Sequence, residues 1–91
     1  MPKLTDDELK VALGSLPGWS ERDGAIHKTF EFESYMGGLE FARSLGEEAE
    51  RRDHHPDLLV TWRKVDVGLS THSEGGITEK DVDLARFANS L

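Results

Sequence analysis

Cysteine and long hydrophobic runs are both absent from this 91-residue chain. Without cysteine, neither a disulfide nor a thiolate metal site can stabilise the fold. No apolar run approaches the roughly 20 residues that a helix needs to span a bilayer. The N-terminus turns acidic at Asp6 and does not resemble the apolar part of a signal peptide. These absences predict a cytoplasmic protein with no membrane partner.

Basic residues are also few. Eleven lysines and arginines stand against eighteen aspartates and glutamates, which gives a formal net charge of -7. That field repels phosphate backbones, and the basic residues cluster only at Arg51–Arg52 and Arg63–Lys64. We therefore expect no nucleic-acid partner.

The length predicts one small domain over residues 1–91, without repeats or linkers. Hydrophobic residues make up 36% of the chain and charged residues 32%, a balance typical of a soluble globular protein. A domain of this size buries only about 60–65% of its unfolded surface. Association of identical chains would add to that burial, and we expect it here.

Capping and turn signals divide the chain into seven elements. Thr5, Ser34 and Thr78 are typical N-caps of three helices. Asp23–Gly24 is typical of a type I′ turn and predicts a hairpin, and residues 58–71 predict a second hairpin. The order α-β-β-α-β-β-α predicts an α+β two-layer sandwich, with a four-stranded antiparallel sheet and the helices on one face.

The helix after Ser34 carries a predicted apolar stripe. Its members recur at three- and four-residue spacing, and they are Tyr35, Met36, Leu39, Ala42, Leu45 and Ala49. This helix must end before Pro56, because the residue that precedes a proline disfavours the α conformation. His54 and His55 are therefore predicted at the end of the helix or just beyond it.

Three of the four histidines fall in two short segments. His54 and His55 belong to the run 53–56, and His72 ends the run 70–72. Histidine has an ordinary pKa of about 6.5, so it can give or take a proton near neutral pH. Each one alone could have a structural role, for example at a helix end or on an open sheet face. Together they favour a proton-transfer site or a metal site.

A metal site is the less favoured of these two alternatives. Three histidines and a water can hold a catalytic zinc ion, but an adjacent pair such as His54–His55 is a poor chelate. The usual His-x-x-x-His spacing on a helix is also absent. We therefore assign no metal ligand.

Other candidates have two possible roles each. Asp81 is first a helix cap, with a catalytic role second. Glu50, one helical turn before His54, could bond an imidazole or be a solvated carboxylate. Trp19 could belong to the core or form a wall for a planar ligand, whereas His27 is predicted on the solvent side of its strand and receives no role.

A spaced set of residues forms a signature in the second half of the chain. Its members are Glu50-Arg51-Arg52-Asp53-His54-His55-Pro56, Val65, Leu69-Ser70-Thr71-His72, Gly76-Ile77-Thr78, Asp81 and Leu84-Ala85. Gly18–Trp19 and the strand at 25–32 extend it toward the N-terminus. In these residues, and in its predicted element order, the chain resembles the pterin-4a-carbinolamine dehydratase family.

The resemblance implies a lyase that removes water from a 4a-hydroxytetrahydropterin to give quinonoid dihydropterin, in tetrahydropterin recycling. It implies that His54 is the acid at the hydroxyl, that His72 takes the N5 proton or stabilises charge, and that His55 contacts the pterin. It implies substrate-binding roles for Asp53, Asp81, Trp19 and Glu50, and for the two aspartates it offers a second role, that of orienting imidazoles. It implies no metal and no organic cofactor.

The resemblance also implies partners. Members of the family form homodimers or homotetramers, and an aromatic amino acid hydroxylase is the expected source of the substrate. Some relatives act without catalysis, as dimerisation partners of a homeodomain transcription factor or as assembly chaperones. An oligomerisation or protein-binding module is therefore the alternative function, and the three histidines favour catalysis over it.

Overall fold

A computed structural model describes residues 2–91. Its regular elements follow the predicted order: α1 (Asp6–Gly14), β1 (Ser20–Arg22), β2 (Ala25–Glu31), α2 (Tyr35–Arg52), β3 (Asp57–Thr61), β4 (Lys64–Leu69) and α3 (Glu79–Ser90). A short 3-10 turn at His72–Glu74 precedes α3. The α+β sandwich predicted from the sequence is confirmed. None of the helices formed by residues 2–91 combines the length and the apolar character needed to cross a bilayer.

The predicted helix caps are all present. Capping boxes begin α1 at Thr5 and α3 at Thr78, and in each the N-cap hydroxyl and a carboxylate three residues later satisfy backbone N–H groups. The Ser34 hydroxyl accepts from the Gly37 N–H at 3.0 Å and begins α2. Local side-chain chemistry therefore sets where each helix starts.

The four strands form one antiparallel sheet in the order β1-β2-β4-β3. Asp23 and Gly24 have φ values of 54° and 78°, which confirms the predicted type I′ turn between β1 and β2. In the second hairpin Thr61 pairs with Lys64. The central strands, β2 and β4, pair along six residues of each strand.

One face of the sheet packs against the helices to form the core. Alternate residues of β2 and β4 point into this core, and α2 and α3 cover them. The fully buried side chains include Ile26, Leu45, Val65, Val67, Leu69, Val82 and Leu84. On the other face β2 and β4 present polar residues such as His27, Thr29 and Asp66. The sheet is therefore covered by helices on one face only.

The buried face of α2 differs from the predicted stripe. Its buried residues are Gly38, Phe41, Leu45 and Ala49, whereas Tyr35 and Met36 are 48% and 60% exposed. Met36 precedes Gly38 by two residues, or about 200° around the helix, which turns it away from the sheet. A Cβ at Gly38 would lie 3.3 Å from Val65, so a glycine lets the helix pack closely there. The predicted stripe is therefore right at Leu45 and Ala49 and wrong at Tyr35 and Met36, and it left out Gly38 and Phe41.

Candidate active site

The C-terminal end of α2 directs the first two histidines. Asp53 adopts a left-handed conformation, with φ 50° and ψ 45°. The His54 N–H donates to the Ala49 carbonyl at 3.1 Å, and the Asp53 N–H donates to the Glu50 carbonyl at 3.2 Å. These two bonds form a Schellman motif, which turns the chain away from the helix axis. The exposed Asp53 is thus the residue that ends the helix.

His54 reaches across to the start of α3. Its Nε2 atom lies 2.5 Å from Oδ1 of Asp81, and the two side chains are 11% and 0% exposed. A buried carboxylate in contact with one ring nitrogen fixes the orientation of an imidazole. The remaining ring nitrogen, Nδ1, is the atom of His54 that is left for other chemistry. Asp81 is therefore the helix cap that the sequence predicts, and it also contacts His54.

The Asp81 carboxylate is held from a second side as well. Its Oδ2 accepts from the Thr78 N–H at 2.9 Å, within the capping box of α3, and from the Thr71 hydroxyl at 2.8 Å. The hydroxyl oxygens of Thr71 and Thr78 are 2.9 Å apart, and both residues are buried. The sequence indicated Thr78 as a cap but gave neither threonine a place in the site. The sequence contains no spacing pattern that distinguishes a threonine bonded to a site carboxylate from an ordinary threonine at a strand end or a helix cap.

His55 pairs with a different carboxylate. Its Nε2 atom makes a hydrogen-bonding contact with Oε2 of Glu50, and both side chains are exposed. Helical spacing alone would bring Glu50 to His54, four residues later. The left-handed turn at Asp53 interrupts the helical spacing. As a result His55 contacts Glu50, whereas His54 points toward α3.

His72 comes from the segment after β4. It begins the 3-10 turn, and Thr71, the preceding residue, forms an isolated antiparallel bridge with Gly76. Gly75, with φ 72°, closes the turn by donating its N–H to the His72 carbonyl at 3.1 Å. The imidazole of His72 is exposed and lies outside the two carboxylate–histidine pairs.

The β3–β4 hairpin brings the two histidine segments to one edge of the sheet. Asp57, the residue after Pro56, pairs with Gly68, two residues before Ser70. Residues 54–56 and 70–72 therefore leave the same end of the hairpin. The bonds of Asp81 to Thr71 and to His54 place the start of α3 at this end too. The structure thus brings together most of the residues that the sequence singled out.

Trp19 lies elsewhere. Its indole N–H donates to Oδ1 of Asn89 at 3.0 Å, and its ring packs edge-on against Phe30 with centroids 6.1 Å apart. The side chain is 6% exposed. Asn89 and Asp81 are eight residues apart on α3, which corresponds to about 12 Å along the helix. Of the two roles open to Trp19, the structure gives it the core one.

The site combines one largely buried imidazole, which contacts the Asp81 carboxylate, with two exposed imidazoles from the same end of the β3–β4 hairpin. Such a set can donate a proton from one group and accept a proton at another, which is what general acid–base chemistry requires. Within residues 2–91 no three histidine, aspartate or glutamate side chains are grouped so that they could hold a metal ion.

Known proteins share both this sequence and this fold. The family described as Pterin 4 alpha carbinolamine dehydratase matches residues 2–91. A protein of Mycobacterium avium (strain 104) is 46% identical over 91 residues, which span 100% of this chain and 97% of that protein. A protein of Sulfolobus acidocaldarius is 45% identical over 89 residues and is covered to 98%. Both are provisionally named pterin-4-alpha-carbinolamine dehydratase.

A solved structure agrees with these relatives. The crystal structure of a transcriptional coactivator/pterin dehydratase from Brucella melitensis has a TM-score of 0.93 and 39% sequence identity to this chain. The superposition covers 97% of this chain and 96% of that one. The sequence match over almost the whole length and the shared fold lead to one conclusion: this chain belongs to the pterin-4a-carbinolamine dehydratase family.

Proposed function

We propose that this protein dehydrates 4a-hydroxytetrahydropterins to quinonoid dihydropterins, as a step in tetrahydropterin recycling. The observation that carries the proposal is the contact between the His54 imidazole and the buried Asp81 carboxylate. That contact uses Nε2 and leaves Nδ1 as the one ring nitrogen free to exchange a proton with a substrate. Family membership supplies the substrate class.

The reaction moves two protons and breaks one bond between heavy atoms. A base removes the proton from N5, and the electron pair of the N5–H bond forms the C4a=N5 double bond. The C4a–O bond then breaks with its electron pair, and an acid protonates the departing hydroxyl, so that water leaves. No electron is gained or lost overall, so the step needs groups that transfer protons and no oxidant or reductant.

His54 is the proposed acid at the departing hydroxyl. A ring that acts as the acid carries hydrogen on both nitrogens, and its Nε2–H then donates to the buried Asp81 carboxylate. When Nδ1–H is donated to the leaving oxygen, the neutral ring keeps its Nε2–H on Asp81. The carboxylate thus remains an acceptor throughout and takes no proton itself.

The other histidines have complementary proposed roles. His72, exposed and outside both carboxylate pairs, takes the N5 proton or stabilises the charge that develops there. His55 contacts the pterin, with Glu50 orienting its ring. Asp53, exposed beside them, is proposed to bind the substrate. Trp19 is buried and therefore supports the site only through the packing of α3.

The test is the rate of 4a-hydroxytetrahydropterin dehydration with and without the protein, followed by absorbance after rapid mixing. We expect a large acceleration that is lost in His54→Ala and strongly reduced in His72→Ala, because each variant lacks a proton-transfer group. His27→Ala is the matched control, since His27 lies on the uncovered face of the sheet beside Arg22 and Gly68. Wild-type rates in the first two variants, with unchanged melting temperatures, would refute the proposed roles.

An association of identical chains also belongs to this proposal. Apolar side chains are exposed at the start of α2 and on the β3–β4 hairpin, and they are Tyr35, Met36, Leu59 and Trp62. Covering them would supply burial that a small domain lacks. We propose a homodimer or homotetramer, with an aromatic amino acid hydroxylase as the source of substrate. Size-exclusion chromatography coupled to light scattering should give the mass of a dimer or a tetramer. A single peak with the mass of the monomer would refute the proposed association.

A second candidate function is a protein-binding module of the same fold. The relative from Brucella melitensis is described as a transcriptional coactivator as well as a pterin dehydratase, which favours this alternative. The same exposed apolar residues would then contact another protein. An inactive but well-folded wild-type protein in the dehydration assay would favour the module over the enzyme.

A further inference from the structure

Two buried threonines connect the histidine segments of the site. Thr71 is the residue before His72, and its hydroxyl donates to Oδ2 of Asp81 at 2.8 Å. The other oxygen of the same carboxylate contacts His54. One carboxylate thus joins the backbone segment of His72 to the ring of His54.

The number of hydrogens fixes the direction of these bonds. Thr71 has one hydroxyl hydrogen, and Asp81 takes it, so the bond between the two hydroxyls must use the hydrogen of Thr78. The Thr78 oxygen in turn accepts the Lys80 N–H at 3.2 Å. The order is therefore Lys80 N–H to Thr78, Thr78 to Thr71, and Thr71 to Asp81. Each bond in such a chain polarises the next and strengthens it.

A role in capping alone does not explain the Thr71 hydroxyl. The capping box of α3 is already complete with the Thr78 N–H and hydroxyl. Thr71 approaches the carboxylate from outside the helix and adds a second donor to Oδ2, beside the Thr78 N–H. With both of these donors on Oδ2, the ionised carboxylate meets His54 through Oδ1 as an acceptor, which favours a hydrogen on Nε2 of His54.

We propose that Thr71 is a positioning residue of the dehydratase site, which acts through Asp81 to keep a hydrogen on Nε2 of His54, so that Nδ1 is the nitrogen that carries the proton to the substrate and is the one left bare when the ring is neutral. The inference rests on the proposed function for its effect on rate. Its effect on the tautomer of His54 does not depend on that function, and the two can therefore be tested separately.

The experiment compares Thr71→Val, which keeps the shape but loses the hydroxyl, with Thr71→Ser, which restores it. Thr29→Val is the matched control, because the Thr29 hydroxyl also donates to a carboxylate, Asp66, but on the uncovered face of the sheet. For each variant, kcat, KM, melting temperature and the ¹⁵N shifts of the His54 ring are measured. The ring shifts distinguish the two neutral tautomers directly.

We expect Thr71→Val to lower kcat about tenfold, equivalent to about 1.4 kcal/mol, with a smaller change in KM. The His54 ring should then show a mixture of tautomers, and Thr71→Ser should recover both properties.

Two outcomes would overturn the inference. One is an Nε2–H ring in Thr71→Val that is indistinguishable from wild type. The other is an equal loss of kcat in Thr71→Val and Thr71→Ser in proportion to a lower melting temperature, which would indicate a structural role alone. A wild-type protein without dehydratase activity would refute the proposed function, while the ring shifts would still decide the tautomer.

Discussion

His54 Nε2 and Asp81 Oδ1 lie 2.5 Å apart although the two residues are separated by 27 positions in the chain. The contact joins the residue after the end of α2 to the first turn of α3. It is also nearly closed to solvent, since the two side chains are 11% and 0% exposed. The same contact therefore orients the His54 ring and attaches the start of α3 to the end of α2.

Asp81→Asn should reduce both activity and stability. The amide has one acceptor oxygen where the carboxylate has two, so a buried polar group loses its hydrogen-bond partner, which typically costs roughly 1–3 kcal/mol. Urea unfolding and the dehydration assay measure the two effects on one sample. Asp66→Asn, on the uncovered face, is the control and should change activity little. A variant at position 81 with wild-type stability and rate would contradict the central place of this carboxylate.

Asp53 ends α2 and is also proposed to bind the substrate, and the variant Asp53→Gly separates these two roles. Glycine adopts the left-handed conformation without a Cβ penalty, so we expect the free energy of unfolding to stay within about 1 kcal/mol of wild type. If the carboxylate binds the pterin as proposed, KM should rise severalfold in this variant and in Asp53→Asn. An unchanged KM in both variants would leave Asp53 only the role of ending α2.

Glu48 makes a pH-dependent contribution to the stability of the fold, and this contribution can be measured independently of the candidate site. Hydrogen bonds from Arg52, and then from Arg51, hold the pKa of Glu48 below its ordinary value. Because folding favours the charged carboxylate, its stabilisation is present above the unfolded pKa of about 4.5 and is lost as the pH falls through the lower, folded pKa.

Glu48→Gln should therefore lower the melting temperature at pH 7, and the difference from wild type should shrink in acid. Thermal unfolding over a range of pH measures this. Glu47→Gln is the comparison, since Glu47 meets Arg43 at 3.5 Å with both side chains well exposed. A difference between Glu48→Gln and wild type that does not depend on pH would show that the charge of Glu48 has no part in it.

The purified protein should carry no stoichiometric zinc. His54 and His55 each have a carboxylate on Nε2, and they diverge at the left-handed turn of Asp53, so they do not present a common ligand set. Elemental analysis and activity before and after treatment with a chelator check this. About one zinc ion per chain, with loss of activity on chelation, would contradict it.

Local signals in the sequence predicted most of the fold. The caps at Thr5, Ser34 and Thr78 and the turn at Asp23–Gly24 act within a few residues, so the chain itself displays them. The buried face of α2 was predicted less well. That face depends on how closely the helix approaches Val65, which is a property of two elements together.

The candidate site was predictable in its members but not in its pairing. Histidines at segment ends indicated the two segments that the structure brings to one edge of the sheet. The family resemblance offered Asp81 as a residue that orients an imidazole, but the spacing could not pair it with His54, because the two meet only in the tertiary structure. The neighbour that the spacing favoured for His54, Glu50, contacts His55 instead. The hydroxyl of Thr71 was missed for the same reason.

The strand order has a consequence for the sequence of folding events. The β3–β4 hairpin closes over a two-residue turn, whereas β2 and β4 pair only after a loop that contains α2 has closed, as in the pair Ile26 and Leu69. Short loops close faster than long ones and at lower entropic cost. We therefore expect the hairpin to bring residues 54–56 and 70–72 together early, with the central pairing of the sheet as the slower event.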